Sequence, residues 1–167
     1  MLLYLLRHGI AEDHAASGSD ADRELTEEGR RKLALVLERA AAAGVRPDVI
    51  LTSPYVRAVQ TARAAAAALS PKKEPVDAPA LTPDGTPEGV WDVLRDHREM
   101  EQVLLAGHEP LLSQLAAFLL NCPALQVDMK KAALVAIELN AWRGHPHGAL
   151  RWMLTPALAA SAKKESK

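Results

Sequence analysis

The stretch LLYLLRHG, residues 2–9, decides how the chain folds. Its first five residues are all apolar, and a short apolar run of this kind is typical of a buried strand. Arg7 and His8 follow the run directly, although a strand is normally closed by turn-forming residues rather than by side chains that are costly to bury. The strand is therefore either an ordinary one with a solvated end or a support that holds two polar groups in place.

The overall composition restricts the classes of protein to which the chain can belong. Its 167 residues suffice for one domain with a full core, and 49% of them are hydrophobic while 25% are charged. A net charge of −1 argues against nucleic acid or an anionic membrane as the main partner. The lone Cys122 has no partner for an internal disulfide, and the first apolar run is too short for a signal peptide or a membrane span. These features predict a protein of the reducing cytoplasm.

Strand-like and helix-like patterns alternate along the chain, which predicts a mostly parallel α/β sheet with helices on both faces. The predicted strands lie at residues 2–6, 48–54, within 102–110, at 132–139 and at 149–156, with at most one more short strand near Val76. We expect one domain over residues 1–156 and a disordered tail over residues 157–167.

The predicted helices have recognisable starts and ends. Thr26 is expected to be the N-cap of the first helix and Gly44 its stop signal. Ser53 is expected to cap the second helix, with Pro54 in its first position. Further helices are predicted over residues 90–97 and after Pro110.

Polar side chains follow three of the predicted strands at the point where each strand ends. These side chains are Arg7 and His8, then Ser53 and Arg57, and finally His108 and Glu109. In a parallel sheet, ligands bind beyond the carboxyl ends of the strands and near helix N-termini. Two arginines and two histidines at that edge form a local positive site, which suits a phosphoryl group.

Each of these residues also has an ordinary structural explanation when it is taken alone. Arg57 would then be a charge on a helix surface, and His108 a histidine at a strand end. His145 and His147 lack a third ligand and are interpreted as part of a solvated turn, so no metal site is predicted. The chain contains no GxxxxGK[ST], GxGxxG, HExxH or GxSxG motif, which disfavours nucleotide-driven, metal-driven and serine-driven chemistry.

Four blocks, taken together and in this order, resemble the histidine phosphatase superfamily, which includes phosphoglycerate mutases and histidine acid phosphatases. The blocks are LRHG at 6–9, LTEEG at 25–29, SPYVRAVQTA at 53–62 and GHEP at 107–110. Within that superfamily the small size and LTPDG at 81–85 are similar to the SixA-type phosphohistidine phosphatases, over residues 2–156. One block departs from the family pattern, because RPLT is here RELT and places Glu24 near the site.

The resemblance implies a fold and a set of roles. The fold is a three-layer α/β/α sandwich. His8 is the nucleophile that becomes phosphorylated, and Arg7, Arg57 and His108 line the phosphate pocket.

The chemistry expected of these residues is phosphoryl transfer without a metal ion or a cofactor. A neutral His8 attacks phosphorus, the two arginines hold the phosphoryl oxygens, and a cationic His108 adds a further donor. An alkoxide leaving group needs an acid, for which Asp84 and Glu109 are the candidates, unless they only shape a turn and cap a helix. Imidazole is a weaker base than an alkoxide, so a phosphohistidine substrate relaxes this demand.

The sequence therefore predicts a monomeric, cytoplasmic signalling phosphatase that hydrolyses phosphohistidine on a protein partner through a phosphohistidine intermediate. Neither nucleic acid nor a membrane is expected as a partner. Two alternatives stay open, namely a small-molecule phosphomonoesterase and a catalytically idle phosphate-binding scaffold. The scaffold is disfavoured because it has no need to retain His8 among the other site residues.

Overall fold

The computed structural model describes residues 1–140, 142 and 144–161 and shows an α/β fold. In chain order the strands are β1 (Leu2–Arg7), β2 (Val49–Thr52), β3 (Val76–Asp77), β4 (Gln102–Gly107), β5 (Leu134–Leu139) and β6 (Gly148–Leu154). The helices are α1 (Glu27–Ala42), α2 (Val56–Leu69), α3 (Pro87–Asp96), α4 (Leu111–Leu119) and α5 (Pro156–Ser161). Two short 3₁₀ turns, Asp20–Asp22 and Pro79–Leu81, complete these elements.

The described strands form one six-stranded sheet in the order β3-β2-β4-β1-β5-β6. The first four strands of the chain run parallel to one another, whereas β5 is antiparallel to both β1 and β6. The predicted mostly parallel sheet is therefore confirmed. Because β1 lies between β4 and β5, the stretch LLYLLR is an inner strand with a neighbour on each side.

Helices cover both faces of the sheet because successive side chains of a strand point to opposite faces. Leu3 and Leu5 pack in a cluster with residues of α3 and α4. Tyr4 and Leu6 pack in a second cluster with residues of α1, α2 and α5. These four side chains are at most 3% exposed, so β1 is buried on both faces and the three-layer sandwich is confirmed.

Helix α1 begins and ends where the sequence predicts. The Thr26 hydroxyl accepts a hydrogen bond from the Gly29 N–H at 3.0 Å, and Gly44 follows the helix with a φ of +83° that glycine adopts without strain. Gly29 itself is required by packing, because a Cβ there would lie 2.1 Å from the Ile10 carbonyl oxygen. The start of α1 is thus pressed against the chain that follows His8.

Helices α2 and α3 begin at other residues than the sequence predicts. Tyr55, not Ser53, is the N-cap of α2, and the Ser53 hydroxyl instead accepts a bond from the Tyr55 N–H at 3.3 Å. Helix α3 begins at Pro87 rather than at residue 90, because the Thr86 hydroxyl caps it by accepting a bond from the Gly89 N–H at 3.1 Å. The Ser53 side chain thus lies at the edge of the sheet, just beyond β2, and not at the start of α2.

Helix α5 extends the ordered chain beyond the predicted domain end at residue 156. Its Ala159 is 1% exposed and packs in the same cluster as residues of α1, which gives this short helix a buried anchor. The rest of the predicted tail, residues 162–167, and Arg143 in the predicted turn lie outside the described residues. Among the helices described, none has both the length and the apolar composition needed to cross a membrane.

Candidate active site

The carboxyl ends of three adjacent strands bring the predicted site residues together. Beyond β1 the His8 N–H donates to the Gly107 carbonyl at 3.0 Å, and beyond β2 the Ser53 N–H donates to the Ala106 carbonyl at 3.0 Å. These bonds continue the ladder past the strand ends and keep the three segments in register. As a result the imidazole rings of His8 and His108 lie 5.0 Å apart, measured between their centroids.

His8 is held in a defined tautomer. Its Nδ1 lies 2.7 Å from the Gly9 carbonyl oxygen, which can only accept, so Nδ1 carries the hydrogen and Nε2 the free electron pair. The Nε–H of Arg57 points at this Nε2 from 3.3 Å. The ring nitrogen that has the free electron pair therefore faces an arginine.

The electrostatic environment keeps His8 neutral. The side chain is 6% exposed, and burial, followed by the nearby charges of His108, Arg57 and Arg7, lowers the pKa of His8 to about 3 against the opposing Gly9 hydrogen bond. A neutral imidazole is the form that acts as a nucleophile. Burial is therefore the main physical reason why His8 is neutral, as the sequence predicts.

Arg57 is buried and held on two edges of its guanidinium. Besides the contact of its Nε with His8, its Nη1 donates to the Asp20 backbone carbonyl at 2.6 Å and its Nη2 to the Asp20 Oδ2 at 2.9 Å. Arg57 is only 3% exposed, and its Cζ lies 4.9 Å from the centroid of the Tyr55 ring. The pocket arginine is thus fixed in direction before any ligand arrives.

Asp20 contacts the site residue Arg57, and the sequence did not predict this contact. It lies in the 3₁₀ turn Asp20–Asp22, 37 residues before Arg57 along the chain, and no motif marks it. Partial burial alone would raise the pKa of its carboxyl, but the hydrogen bond and charge of Arg57, together with Arg23, hold the pKa below its ordinary value. Asp20 is therefore an anion that orients Arg57.

Replacing Asp20 tests this orientation. Asp20→Ala is expected to lower kcat/KM about tenfold to a hundredfold, because a hydrogen bond to a charged group contributes about 1.5–3 kcal/mol. Asp20→Asn retains an acceptor oxygen and is expected to recover part of the loss. Steady-state kinetics of both variants, with Asp22→Ala in the same turn as the control, measure the effect. Equal losses in all three variants would mean that only the turn matters.

His108 is the second buried imidazole of the site. It is 1% exposed, its Nε2 lies 2.9 Å from the Ser53 hydroxyl, and the Tyr55 ring meets it edge-on at 5.2 Å between centroids. Its Nδ1 is buried and has no hydrogen-bond partner among the described residues. An unpaired buried polar atom is costly, and it leaves His108 with an unused site for a ligand.

The sequence predicts a cationic His108, and this prediction is wrong for the free protein. Burial, and then the charge of Arg57, lower the pKa of His108 to about 4, although Asp20 opposes this shift. The sequence motif GHEP does not reveal this, because the shift arises from residues on other segments. The pocket therefore contains two neutral imidazoles and two arginines before a ligand binds.

The protonation of these two histidines is measurable. The ring nitrogen resonances of His8 and His108 are expected to remain those of neutral imidazole from about pH 8 to about pH 5, whereas a free imidazole titrates near 6.5. The unfolded chain takes up these protons below about pH 6.5 and the folded chain does not, so the free energy of unfolding decreases as the pH falls below that value. Long-range ¹H–¹⁵N spectra over this range check the expectation. Titration of either ring near pH 6.5 would contradict it.

Arg7 joins the pocket from the end of β1. Its Nη1 donates to the Met129 carbonyl at 2.7 Å, while its buried Nε has no partner among the described residues. Burial lowers the pKa of Arg7, and the carboxylates of Glu109 and Asp128 oppose the shift. The positive charge of Arg7 also helps to lower the pKa of His8.

The two predicted acid candidates occupy different surroundings. Glu109 Oε1 accepts a hydrogen bond from the Ser113 N–H at 3.0 Å, which is a capping contact at the start of α4. Asp84 is exposed in a turn in which the Gly85 N–H donates to the Thr82 carbonyl at 2.9 Å. Glu109 therefore caps a helix and Asp84 lies in a turn, which are the structural roles that the sequence left open for them.

Metal-binding residues form no cluster in the part of the chain that the structure describes. Within residues 1–140, 142 and 144–161, no group of three or more His, Cys, Asp or Glu side chains is placed to hold an ion. His145 and His147 are both exposed there. Independence of metal ions stays a prediction that needs a chelator to test it.

Comparisons with known proteins identify the family of the chain. The family model of the histidine phosphatase superfamily (branch 1) matches residues 3–82. An uncharacterized protein of Picosynechococcus sp. strain PCC 7002 is 35% identical over 155 residues, which covers 88% of this chain and 90% of that protein. The phosphohistidine phosphatase SixA of Escherichia coli K12 is 29% identical over 166 residues, or 98% of this chain and 99% of that one.

Solved structures match over nearly the whole chain. The structure of the protein histidine phosphatase SixA complexed with tungstate superposes with a TM-score of 0.84 at 29% identity, covering 94% of this chain and 98% of that one. A mycobacterial glucosyl-3-phosphoglycerate phosphatase shares the fold with a TM-score of 0.70 at 18% identity, covering 90% of this chain and 96% of that one. The chain therefore belongs to the histidine phosphatase superfamily and is a phosphatase of the SixA type.

Proposed function

We propose that this phosphatase hydrolyses phosphohistidine on a protein partner and carries the phosphoryl group on Nε2 of His8 between the two half-reactions. The observation that supports this most directly is the pairing of a neutral His8, whose free electron pair is on Nε2, with the Arg57 Nε–H at 3.3 Å. A nucleophile and a fixed positive charge thus meet at one point. That arrangement is what an in-line phosphoryl transfer requires.

The first half-reaction moves the phosphoryl group to the enzyme. The Nε2 electron pair of His8 attacks phosphorus, and the P–N bond of the substrate breaks. The electron pair of that bond stays on the leaving imidazole, which takes a proton from solvent. Arg57 and Arg7 hold the phosphoryl oxygens, and Nδ1 of His8 keeps its hydrogen on the Gly9 carbonyl throughout.

The second half-reaction returns the enzyme to its starting state. Water attacks phosphorus, the bond to Nε2 of His8 breaks, and the electron pair returns to that nitrogen as inorganic phosphate leaves. A phosphoryl dianion in the pocket raises the pKa of His108, because an opposite charge favours the protonated ring. His108 then donates through the Nδ1 that has no partner in the described part of the free chain.

The choice of a phosphohistidine substrate follows from the acid candidates. Imidazole leaves as a far weaker base than an alkoxide and needs little help from a general acid. Glu109 is engaged in capping α4, and Asp84 is exposed in a turn. Neither position favours proton delivery to an alkoxide, so the site suits a phosphoramidate better than an alkyl ester.

Substitution of the two carboxylates separates these substrate classes. Asp84→Asn and Glu109→Gln are each expected to keep the rate on phosphohistidine within about tenfold of wild type, since a true general acid contributes about a hundredfold or more. The Gln side chain can also keep the capping bond to Ser113. Single-turnover rates on a phosphohistidine-bearing protein measure this. A hundredfold loss of a high ester rate in one variant would instead identify that residue as the acid.

The deciding experiment compares substrates directly. The rate on a phosphohistidine-bearing protein is measured against a panel of phosphate esters, with and without EDTA, and is expected to exceed every ester rate and to be unchanged by EDTA. A preference for an ester would make the protein a small-molecule phosphomonoesterase, and absence of hydrolysis would make it a phosphate-binding scaffold. The proposal involves no metal ion and no cofactor, and includes a monomeric state and a cytoplasmic location.

A further inference from the structure

A groove with a basic rim lies beside the active site. Its volume is about 670 Å³, and it runs between α1, the segment around residue 130 and the start of α5. Among the described residues that line it are four cations other than Arg7, namely Arg31, Lys32, Lys130 and Lys131, and no carboxylate. For a chain with a net charge of −1, this is a pronounced local excess of positive charge. We refer to it as the α1–α5 groove.

The groove shares Arg7 with the candidate active site. The Arg7 side chain lines the groove and donates to the Met129 carbonyl at 2.7 Å. Close by, the Ala132 N–H lies 3.1 Å from each of the carbonyl oxygens of Arg7 and His8. Lys130 and Lys131, between Met129 and Ala132, are thus fixed to the end of β1, close to the arginine that the groove shares with the site.

Two of the rim cations form no ion pair with a carboxylate of the described residues. Lys32 forms an ion pair with Glu28, and Lys130 with Asp128, each at 2.6 Å. Arg31 and Lys131 are exposed and form no ion pair within the described residues. Their charge is therefore available to carboxylates that another molecule supplies.

The floor of the groove is apolar. Ile10 and Leu35 are half-buried in it, and Pro156, Ala157 and Ala160 close it from the α5 side. A free inorganic anion gains nothing from such a floor. A peptide that carries both carboxylates and aliphatic side chains uses the rim and the floor together. Of these two ligand types, the observed lining favours the peptide.

We infer that the α1–α5 groove docks an acidic and aliphatic segment of the protein partner that carries the phosphohistidine. The inference rests on the proposed function, because the groove opens at Arg7 and its occupant is covalently continuous with the group being hydrolysed. Docking of this kind lowers KM for the partner without taking part in the phosphoryl transfer itself. It makes the protein selective among phosphohistidine proteins by the residues that flank the modified histidine.

The experiment uses the full chain and synthetic peptides. Peptides of equal length carry one phosphohistidine and, on either side of it, an arm rich in Glu and Leu or a matched arm rich in Gln and Ser, and free phosphohistidine is the reference substrate. Wild type is expected to hydrolyse one of the Glu-Leu peptides with a kcat/KM at least about tenfold above that of its Gln-Ser counterpart. The difference is expected in KM rather than in kcat, and to shrink as salt is added.

Variants of the rim test the groove itself. The double variant Arg31→Glu, Lys131→Glu is expected to remove the preference for the Glu-Leu arm, with a loss of about tenfold or more in kcat/KM for that peptide relative to free phosphohistidine. The control Arg63→Glu, Lys73→Glu makes the same charge change at two exposed residues near the β3 edge and is expected to keep the preference. Circular dichroism checks that both double variants are folded.

Binding of the unphosphorylated Glu-Leu peptide, followed by fluorescence anisotropy, separates this inference from the proposed function. Binding that is lost in the rim variant and kept in the control supports the groove, even if no phosphohistidine is hydrolysed and the proposed function fails. Equal binding of the Glu-Leu and Gln-Ser peptides, or equal losses in the two double variants, would overturn the inference. So would capture of phosphatidylserine vesicles by wild type, lost in the rim variant, without any peptide preference.

Discussion

His8→Ala is expected to abolish turnover, with a loss on the order of 10⁴-fold or more, comparable to removal of the nucleophile in other covalent enzymes. The reason is that Nε2 of His8 is the nitrogen with a free electron pair that faces the Arg57 Nε–H. Rapid-quench measurement of phosphoryl release, and mass spectrometry of the trapped intermediate, check this.

The exposed His147 provides the control for the loss of an imidazole. His147→Ala is expected to retain the wild-type rate and the labelled intermediate. The circular dichroism spectrum of His8→Ala should match wild type, because the ring lies at the edge of the sheet rather than in either apolar cluster. Labelled phosphate trapped on a residue other than His8 would contradict the assignment.

Arg57→Ala is expected to cost two to three orders of magnitude in kcat/KM. Removal of one preorganised donor to a developing negative charge costs about 3–4 kcal/mol. Here the substitution also removes one of the two arginine partners of the Asp20 carboxylate, which keeps only its contact with Arg23 at 2.8 Å, so less of its negative charge is balanced beside the phosphoryl group. Steady-state kinetics on a phosphohistidine-bearing protein measure the combined effect.

A second substitution divides this effect into its two parts. Adding Asp20→Asn to Arg57→Ala removes the negative charge of Asp20, and the double variant is expected to be more active than Arg57→Ala alone. Arg63→Ala, an exposed arginine of the same helix, is the control and should leave kcat/KM unchanged. A loss of less than tenfold in Arg57→Ala would place this arginine outside the phosphate pocket.

Much of the fold was predictable because local signals and packing agree. The apolar run of β1, the N-cap at Thr26 and the glycine at residue 44 each specify one local conformation, and the structure has all three. The start of α2 was not predictable in the same way. Ser53 is a good cap by residue type, but its hydroxyl is engaged with His108 of a neighbouring strand end, and that contact depends on the sheet order.

The site was predictable only in part. Arg7 is the last residue of β1, while His8, Arg57 and His108 follow strand ends, and the parallel sheet brings such residues to one edge by its topology. Asp20 lies on a loop with no periodic pattern, and its contact with Arg57 depends on the path of that loop in space. The neutral state of His108 likewise depends on burial and on charges from other segments, which no local stretch of sequence contains.

The inner position of β1 determines how the site responds to thermal opening of the structure. β3 has two residues, both exposed, and forms one edge of the sheet, while β6 forms the other. Fraying begins at such edges, where few apolar contacts resist it, and the amides of inner strands exchange with solvent only in larger openings. Arg7 ends the inner strand β1, and His8 follows it directly. Because β1 has a neighbouring strand on each side, brief opening of either edge of the sheet leaves the catalytic geometry in place.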